Sequence, residues 1–158
     1  MDGKLKNKSH LTAIKRKTIS APLRVLLGKG LLRGRILDFG CGRGFDTAEL
    51  KSMGYDADGY DSYFEPYLPH KKYDTIICIY VLNTLEDNDM NDAISEVKGF
   101  LENGGHAYFA VRRDLVNEGF TSRGTYQHNV ILNEKDGYRS ISRNSTFEIY
   151  EYTNEDSK

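Results

Sequence analysis

The sequence predicts an α/β fold with a central, mostly parallel sheet, helices on both faces and an antiparallel C-terminal extension. Two observations carry this prediction. Up to Asp114, short apolar segments alternate with amphipathic ones, which is typical of strand–helix–strand units with right-handed crossovers. After Asp114, short segments of alternating apolar and polar residues are separated by turn residues, which indicates antiparallel strands.

A short helix precedes the first strand. Ser20 is suited to be its N-cap and Pro22 falls in its first turn. The apolar segment Leu23–Leu27 forms its body, and Gly28 or Gly30 ends it.

The first strand and second helix follow directly. Arg35–Phe39 is a short apolar run that stops at glycines, so it predicts a buried strand. Asp46–Met53 predicts a helix with Ala48 and Leu50 toward the sheet and Gly54 as its C-terminal stop.

Two more strands flank a loop. Tyr55–Asp61 predicts the second strand, and residues 62–72 form a loop because Pro66 and Pro69 discourage a helix. Tyr73–Tyr80 is continuous and rich in β-branched and aromatic residues, as expected of a strand that is buried on both faces.

The last crossover is an amphipathic helix. It begins at Asn88 or Asp89 and continues to Leu101, and Gly104-Gly105 end it. His106–Val111 is the fourth strand. Residues 115–125 are a loop, and turn residues at 136–137 and 144–145 separate the three strands of the antiparallel extension. Those strands are Tyr126–Leu132, Tyr138–Arg143 and Phe147–Tyr152.

Length and composition fit one globular domain. The 158 residues include 11 tyrosines and 7 phenylalanines, enough to form a core without metals or disulfides. No apolar run is long enough to span a membrane, and no apolar stretch follows the basic N-terminus as in a secretory signal. Cys41 and Cys78 lack neighbours at metal-ligand spacing. We therefore expect a reduced, cytoplasmic protein without a metal or a membrane segment.

Charge is distributed unevenly along the chain. Residues 1–35 carry a net charge of +9, and the remaining residues carry −10. We divide the chain into a basic N-terminal arm, 1–18, and one domain, 19–158. The basic stretch 4–35 suggests contact with a polyanion such as nucleic acid, and the alternative is a solvated terminus.

A glycine-rich turn follows the first strand. Asp38-Phe39-Gly40-Cys41-Gly42-Arg43-Gly44 has the pattern D-x-G-x-G-x-G, and Asp61 ends the next strand 17 residues after Gly44. Such glycines let a backbone approach a ligand, and an acid at the end of the second strand binds ribose hydroxyls. A carboxylate before the glycines would repel a pyrophosphate but suits the ammonium group of an amino acid.

This arrangement resembles motif I of the class I S-adenosylmethionine-dependent methyltransferases, which have a Rossmann-like fold. The segments Tyr73–Leu85 and Leu101–Phe109 resemble the fourth strand and the approach to the fifth strand of that family, although Asn103 replaces a proline. The 11 residues between Asp61 and Tyr73 are too few for the usual helix and strand, so we expect one edge strand to be missing.

The resemblance implies a cofactor, S-adenosylmethionine, with S-adenosylhomocysteine as product. The glycine loop would hold the methionine part of the cofactor, and Asp61 would bind its ribose. One aromatic residue near Asp61 would stack on adenine, unless it packs in the core as Tyr60 can. The cofactor-binding residues implied are Asp38, Gly40, Cys41, Gly42, Gly44, Asp61, Tyr63 and Tyr80.

A narrower resemblance covers residues 10–127. The segments His10–Arg16, Ser20–Pro22 and Thr121–Gln127, together with motif I and Tyr80–Asn83, are similar to methyltransferases associated with bacterial DNA phosphorothioation. This chain is far shorter than those proteins. The resemblance implies an acceptor in a nucleic-acid modification system.

The catalytic candidates are Asn83, Arg112 and His128. Asn83 and Arg112 follow strands at the edge where such sheets bind ligands, and His128 could act as a base. Their structural alternatives are a loop cap, an ion pair of Arg112 or Arg113 with Asp114 or Glu118, and a histidine with a structural role. Asp46 is expected to be a helix N-cap and Cys78 to be core.

Known acceptor signatures are absent. The segment Tyr80–Asn83 contains neither the prolines of amino-methylating DNA enzymes nor the Pro-Cys pair of cytosine-C5 enzymes. Three functions stay open: a nucleic-acid methyltransferase, a small-molecule methyltransferase, and a non-catalytic cofactor-binding subunit of a larger complex. A domain with no obvious lid would use a partner protein or a homodimer to close its site.

Overall fold

The computed structural model describes residues 9–13, 15–67 and 71–155. The arm residues Lys4, Lys6 and Lys8 and part of the predicted loop 62–72 lie outside these ranges. Within the described ranges, no helix has both the length and the apolar character needed to cross a bilayer.

Helices and strands alternate through the first two thirds of the chain. The helices are α1 (Ala21–Gly28), α2 (Phe45–Ser52) and α3 (Asp87–Gly99). The strands are β1 (Arg35–Phe39), β2 (Asp56–Tyr60), β3 (Tyr73–Ile79), β4 (Leu101–Arg112), β5 (Gly119–Phe120), β6 (Tyr126–Gln127), β7 (Tyr138–Arg143) and β8 (Phe147–Thr153). The predicted cap of α1 is confirmed, because the Ser20 side chain accepts a hydrogen bond from the Leu23 N–H.

Six strands form the main sheet in the order β2-β1-β3-β4-β8-β7. The first four run parallel, and β8 and β7 are antiparallel. The predicted fold class is confirmed. Between β2 and β3 the described residues form neither a helix nor a further strand, so β2 is the edge strand as expected.

The core lies on both faces of the sheet. One face packs on α1 and α2 through Leu23, Leu26 and Leu50. The other face packs on α3 through Ala93 and Val97. The prediction that Ala48 faces the sheet is wrong. With 3.6 residues per turn, burying Asp46, Thr47 and Leu50 places Ala48 on the solvent side, where it is exposed.

The end of α3 differs from the prediction. The helix ends at Gly99, and Leu101 already belongs to β4. Gly104 and Gly105 lie inside β4 instead of ending the helix. A Cβ at Gly105 would stand 3.1 Å from the carbonyl oxygen of Tyr73, so this glycine permits the close approach of β4 to an irregular part of β3.

The strand predicted over Tyr126–Leu132 is also shorter than expected. Only Tyr126–Gln127 is a strand, and it pairs with β5 in a separate two-stranded sheet. The next residue, His128, is held by the 3-10 turn Leu82–Thr84 instead of by a neighbouring strand, because its N–H donates to the Asn83 carbonyl oxygen at 3.0 Å.

Candidate active site

A cavity of about 420 Å³ lies at the carboxyl ends of β1, β2 and β3. Open α/β sheets bind their ligands at this edge. The glycine turn after β1, Asp61 after β2 and Tyr80 after β3 all line the cavity, and residues of α3 and of the segment 9–16 complete its wall.

Three glycines shape the turn between β1 and α2. Gly40, Gly42 and Gly44 have φ angles of +77°, +58° and +86°, in the left-handed region that favours glycine. A side chain at Gly40 would also collide with Cγ2 of Val81. Glycine is therefore needed at Gly40 for two independent reasons.

Backbone hydrogen bonds fix the turn to the end of β2. The N–H groups of Gly40 and Cys41 both donate to the carbonyl oxygen of Tyr60, at 2.7 and 2.9 Å. Burial and the nearby charges of Asp38 and Asp61 raise the pKa of the Cys41 thiol well above its usual range. This thiol is therefore protonated and offers no anionic nucleophile.

Asp38 is a buried carboxyl group in the cavity wall. It is 4% exposed, and its Oδ2 accepts a hydrogen bond from Thr47 Oγ1 at 2.9 Å. Burial raises its pKa to about 7, and the negative charges of Asp46 and Asp61 act in the same direction. A cationic ligand group beside Asp38 would relieve this unfavourable ionisation.

Asp61 organises the loop after β2. Its Oδ2 accepts from the Gly42 N–H at 3.0 Å, and its Oδ1 accepts from the N–H groups of Tyr63 and Phe64 at 2.9 and 3.0 Å. One carboxylate therefore joins the glycine turn to the following loop while it lines the cavity.

Tyr80 stands where β3 ends. Its φ of +60° is the one positive value outside glycine among the described residues. For a bulky side chain such a backbone is strained, and strained residues cluster at functional sites. Burial raises the pKa of the Tyr80 hydroxyl, and the positive charges of Arg112 and Arg16 oppose that shift.

The described residues of the N-terminal segment 9–16, which are 9–13, 15 and 16, lie over the cavity. The His10 ring stacks on Tyr63, with centroids 3.9 Å apart and planes 7° apart. His10 therefore covers one face of Tyr63, a residue expected to stack on adenine, and 56% of Tyr63 stays exposed. Tyr60, in contrast, is buried and packs on Phe39, which confirms the core alternative for that residue.

Asp46 bonds the start of α1, a few residues after this segment. It is not the N-cap of α2, as was predicted, because Gly44 occupies that position and the helix begins at Phe45. The Asp46 carboxylate instead accepts from Ser20 N–H at 3.0 Å and Ser20 Oγ at 2.7 Å, both buried. Its role is to join α2 to the start of α1.

The three catalytic candidates do not line the cavity. Asn83 is buried, and its amide bonds the backbone of Arg112 twice and the carbonyl oxygen of His128 once. Nε2 of His128 lies 2.9 Å from the Leu82 carbonyl oxygen. Arg112 pairs with Asp114 at 2.7 Å, as the structural alternative predicted. A catalytic role for these residues stays a prediction.

Sequence reasoning missed several residues of this site. Val81, Ala13 and Arg16 line the cavity, and Thr47 donates a hydrogen bond to the Asp38 side chain in its wall. The segment that contains Ala13 and Arg16 was noted only for its charge and for the narrower resemblance. No local pattern indicates that it folds back across the sheet edge.

Comparison with protein-family models gives one match, the methyltransferase domain, over residues 11–145. The chain belongs to this family. Its cofactor is S-adenosylmethionine, as the family and the acid-flanked glycine turn indicate. No curated protein matches the chain.

Several solved structures share the fold. TehB from Haemophilus influenzae is 15% identical with a TM-score of 0.64, over 96% of this chain and 67% of that one. The Burkholderia thailandensis 1,6-didemethyltoxoflavin-N1-methyltransferase, bound to its acceptor and S-adenosylhomocysteine, is 15% identical with a TM-score of 0.63, over 86% and 78%. NodS, an N-methyltransferase from Bradyrhizobium japonicum in complex with S-adenosylhomocysteine, is 17% identical with a TM-score of 0.56, over 98% and 100%.

The residues present fit this cofactor. Gly42 and Gly44 bring no side chain to the turn, and the space beside Gly44 is open, so the backbone can approach a ligand there. Asp38 offers a buried carboxyl group to an ammonium, and Asp61 offers a carboxylate at the end of β2 to ribose hydroxyls.

Proposed function

We propose that this S-adenosylmethionine-dependent methyltransferase acts on a small-molecule acceptor. The observation that carries this proposal is the covered cavity: the chain's own segment 9–16 lies over the cofactor site, and its His10 ring stacks on Tyr63. Such a cover suits an acceptor that is small enough to enter beside the segment and be enclosed.

When bound, the cofactor supplies an electrophilic methyl group on its sulfonium. The residues of the chain bind and orient. Asp38 holds the ammonium end, Asp61 holds the ribose, and Gly40, Gly42 and Gly44 give the backbone room to approach. Positioning of this kind is the protein's main contribution to a displacement of this type.

The distribution of basic residues supports a small acceptor. Lys29 caps the far end of α1, and Arg33 and Arg35 lie at the amino end of β1, opposite the cavity. Arg35 is also engaged with the carbonyl oxygen of Lys72. The basic stretch 4–35 is therefore divided between two ends of the sheet and forms no continuous surface in its described part.

The acceptors of the structural neighbours agree with this. The Burkholderia enzyme is bound to 1,6-didemethyltoxoflavin, and another neighbour, from Synechocystis, is a magnesium protoporphyrin IX methyltransferase. Both acceptors named are small molecules. Closure of the site by a protein partner or a homodimer stays a prediction. A cover does not require such a partner, because segment 9–16 supplies one.

A second candidate is a nucleic-acid acceptor. Two observations favour it: Lys15 and Lys17 are exposed beside the cavity, and Phe120 is 67% exposed against Tyr126 on the β5–β6 hairpin. The narrower resemblance to phosphorothioation-associated methyltransferases supports the same acceptor. Cations with exposed aromatic rings bind single strands by phosphate contact and base stacking.

One experiment separates these candidates. The protein is incubated with cofactor carrying a radiolabelled methyl group and a cell extract divided into nucleic-acid, protein and low-mass fractions, with the Asp61→Asn variant as control. Label that enters the low-mass fraction supports the proposal, and label that enters DNA or RNA overturns it in favour of the second candidate. Cofactor binding without label transfer to any fraction indicates the non-catalytic subunit.

A further inference from the structure

The β5–β6 hairpin, residues 115–128, is tied to the chain just beyond the carboxyl end of β4. At its base, the Asn129 side chain accepts from the Leu115 N–H at 2.8 Å and donates to the Leu115 carbonyl oxygen at 2.9 Å. Nearer the two strands, Gln127 Nε2 donates to the Asn117 carbonyl oxygen at 2.6 Å. These bonds close the base of the hairpin and hold it beside that edge of the main sheet.

His128 joins the hairpin to the turn that follows β3. Its N–H donates to the Asn83 carbonyl oxygen at 3.0 Å, and its own carbonyl oxygen accepts from Asn83 Nδ2 at 2.8 Å. Its Nε2 lies 2.9 Å from the Leu82 carbonyl oxygen. The same turn borders the cofactor cavity, because Thr84 and the neighbouring Val81 line that cavity. One turn of chain therefore separates His128 from the cofactor site.

The contact with Leu82 fixes the tautomer of the His128 ring. A carbonyl oxygen only accepts hydrogen bonds, so Nε2 carries the proton of the neutral ring and Nδ1 is an acceptor. Nδ1 has no hydrogen-bond partner among the residues of the described ranges. It is not buried either, because the one buried side-chain nitrogen or oxygen without a partner in these ranges belongs to Arg35. The ring thus presents an oriented acceptor that a ligand can reach.

Aromatic rings continue from His128 along the hairpin. The centroid of the Tyr126 ring lies 5.2 Å from that of His128 and 5.2 Å from that of Phe120. Tyr126 is half-buried, and Phe120 at the outer end is 67% exposed. Phe120, Tyr126 and His128 form a continuous ring surface that begins beside the cofactor cavity. Aromatic side chains exposed in this way are suited to pack against a flat ligand.

The charge of the hairpin favours a ligand without phosphates. Its residues 115–128 include one arginine, Arg123, and one glutamate, Glu118. A nucleic-acid strand is bound mainly through an excess of positive charge that contacts its phosphates. The hairpin offers no such excess, so stacking and a single oriented hydrogen bond are its means of recognition.

We propose that the ring surface binds the methyl acceptor, and that this acceptor is a flat aromatic molecule with an N–H or O–H group. Its ring packs against Phe120 and Tyr126, and its N–H or O–H donates to Nδ1 of His128. Aromatic packing supplies affinity, and the hydrogen bond sets the orientation of the acceptor. This inference rests on the proposed function and names the chemical class of the small molecule.

The test uses two probes, indole and 1-methylindole, which has a methyl group in place of the ring N–H. Each is titrated into protein saturated with S-adenosylhomocysteine while the fluorescence of the indole ring is followed. The chain contains no tryptophan, so the signal excited beyond the tyrosine absorption belongs to the probe. The proteins are the wild type, His128→Phe, Phe120→Ser and, as control, Val116→Ser, which changes another exposed apolar residue of the hairpin. A urea unfolding curve establishes that each variant is folded.

The expected result is a preference that depends on His128. The wild type binds indole about three- to tenfold more tightly than 1-methylindole, although the added methyl group makes 1-methylindole the more apolar probe. His128→Phe keeps a ring but removes the acceptor atom, so its affinities for the two probes agree within about twofold. Phe120→Ser weakens both probes about three- to tenfold, because it removes the outer ring of the surface, and Val116→Ser changes neither.

Three outcomes overturn the proposal. The first needs no variant: the wild type fails to bind indole, or binds it no more tightly than 1-methylindole. The second is equal weakening by Phe120→Ser and Val116→Ser, since the probes would then bind any exposed apolar surface. The third is displacement of indole by oligodeoxythymidylate, which would make a nucleic-acid strand the occupant. If methyl label enters the low-mass fraction of the extract but the wild type does not prefer indole, this inference fails and the proposed function stands.

Discussion

The buried carboxyl group of Asp38 makes the stability of the ligand-free protein depend on pH. Its pKa is about 7 in the folded state, against 3.8 as the ordinary value, because burial and the charges of Asp46 and Asp61 disfavour ionisation. Between these two values the folded protein keeps a proton that the unfolded chain has lost. Stability from this group is therefore present at low pH, falls as pH rises and levels off above about pH 7.

The magnitude follows from the same values. The difference between 3.8 and about 7 corresponds to about 4 kcal/mol over the whole range, at 1.36 kcal/mol per pKa unit. Between roughly pH 5 and pH 8 the protein is expected to lose about 2.5 kcal/mol of this stability, since part of the interval from 3.8 to about 7 lies below pH 5.

Asp38→Asn isolates this contribution, because an amide does not titrate here. The carbonyl oxygen of the new asparagine can still accept the hydrogen bond from Thr47. Its unpaired NH₂ group lowers the stability of the variant by the same amount at every pH. Urea unfolding of both proteins is measured from roughly pH 5 to pH 8. The stability of the variant minus that of the wild type should rise by about 2.5 kcal/mol.

The pKa values of other carboxyl groups shift in the opposite direction, and their effects on stability cancel when the wild type is subtracted from the variant. Burial acts to raise the pKa of Glu151, for example, but the hydrogen bonds from Arg139 and Tyr108 and the charge of Arg139 outweigh it and lower that pKa in both proteins. A difference that stays constant between pH 5 and pH 8 would refute the reasoning, because Asp38 would then ionise normally in the folded state.

Two further variants test the structural roles of Asn83 and Gly40. Asn83→Ala removes three buried hydrogen bonds to the backbone of Arg112 and His128, so we expect a loss of about 2–4 kcal/mol in urea unfolding but S-adenosylhomocysteine affinity within about twofold of wild type. Wild-type stability with lost turnover would support the catalytic prediction instead. Gly40→Ala adds a clash with Val81 to a φ of +77°, so we expect a loss of about 2–4 kcal/mol, of which Val81→Ala in the same chain recovers about half. A Gly40→Ala protein as stable as wild type would contradict the steric account.

Local sequence determined those elements whose signals have one meaning. Arg35–Phe39 is an apolar run bounded by glycines, and it is β1 without a change of boundary. Tyr138–Arg143 lies between two turn signals and is β7 as predicted. The glycine turn and Asp61 were found because strand, turn and acid follow one another within a short stretch of chain.

Signals with two meanings gave the errors. The pair Gly104-Gly105 can end a helix or allow two strands to approach closely. The short distance from Gly105 to the Tyr73 backbone shows that it allows the close approach of β4 to β3. Asp46 can cap a helix or bond a distant group. In the structure it accepts hydrogen bonds from Ser20, which is 26 residues away along the chain. The stack of His10 on Tyr63 joins residues 53 apart along the chain and depends on tertiary folding, so it leaves no local pattern.

The most direct test of the cofactor site is a calorimetric titration with S-adenosylmethionine and S-adenosylhomocysteine. It uses the wild type, Asp61→Asn and, as control, Glu65→Gln, which removes an exposed carboxylate four residues away. We expect wild-type binding in the micromolar range, at least about tenfold weaker binding by Asp61→Asn, and wild-type affinity for Glu65→Gln. A urea unfolding curve separates loss of the site from loss of the fold, because Asp61 also holds the N–H groups of Gly42, Tyr63 and Phe64. Absence of binding by the folded wild type, or equal affinity of wild type and Asp61→Asn, would contradict the account.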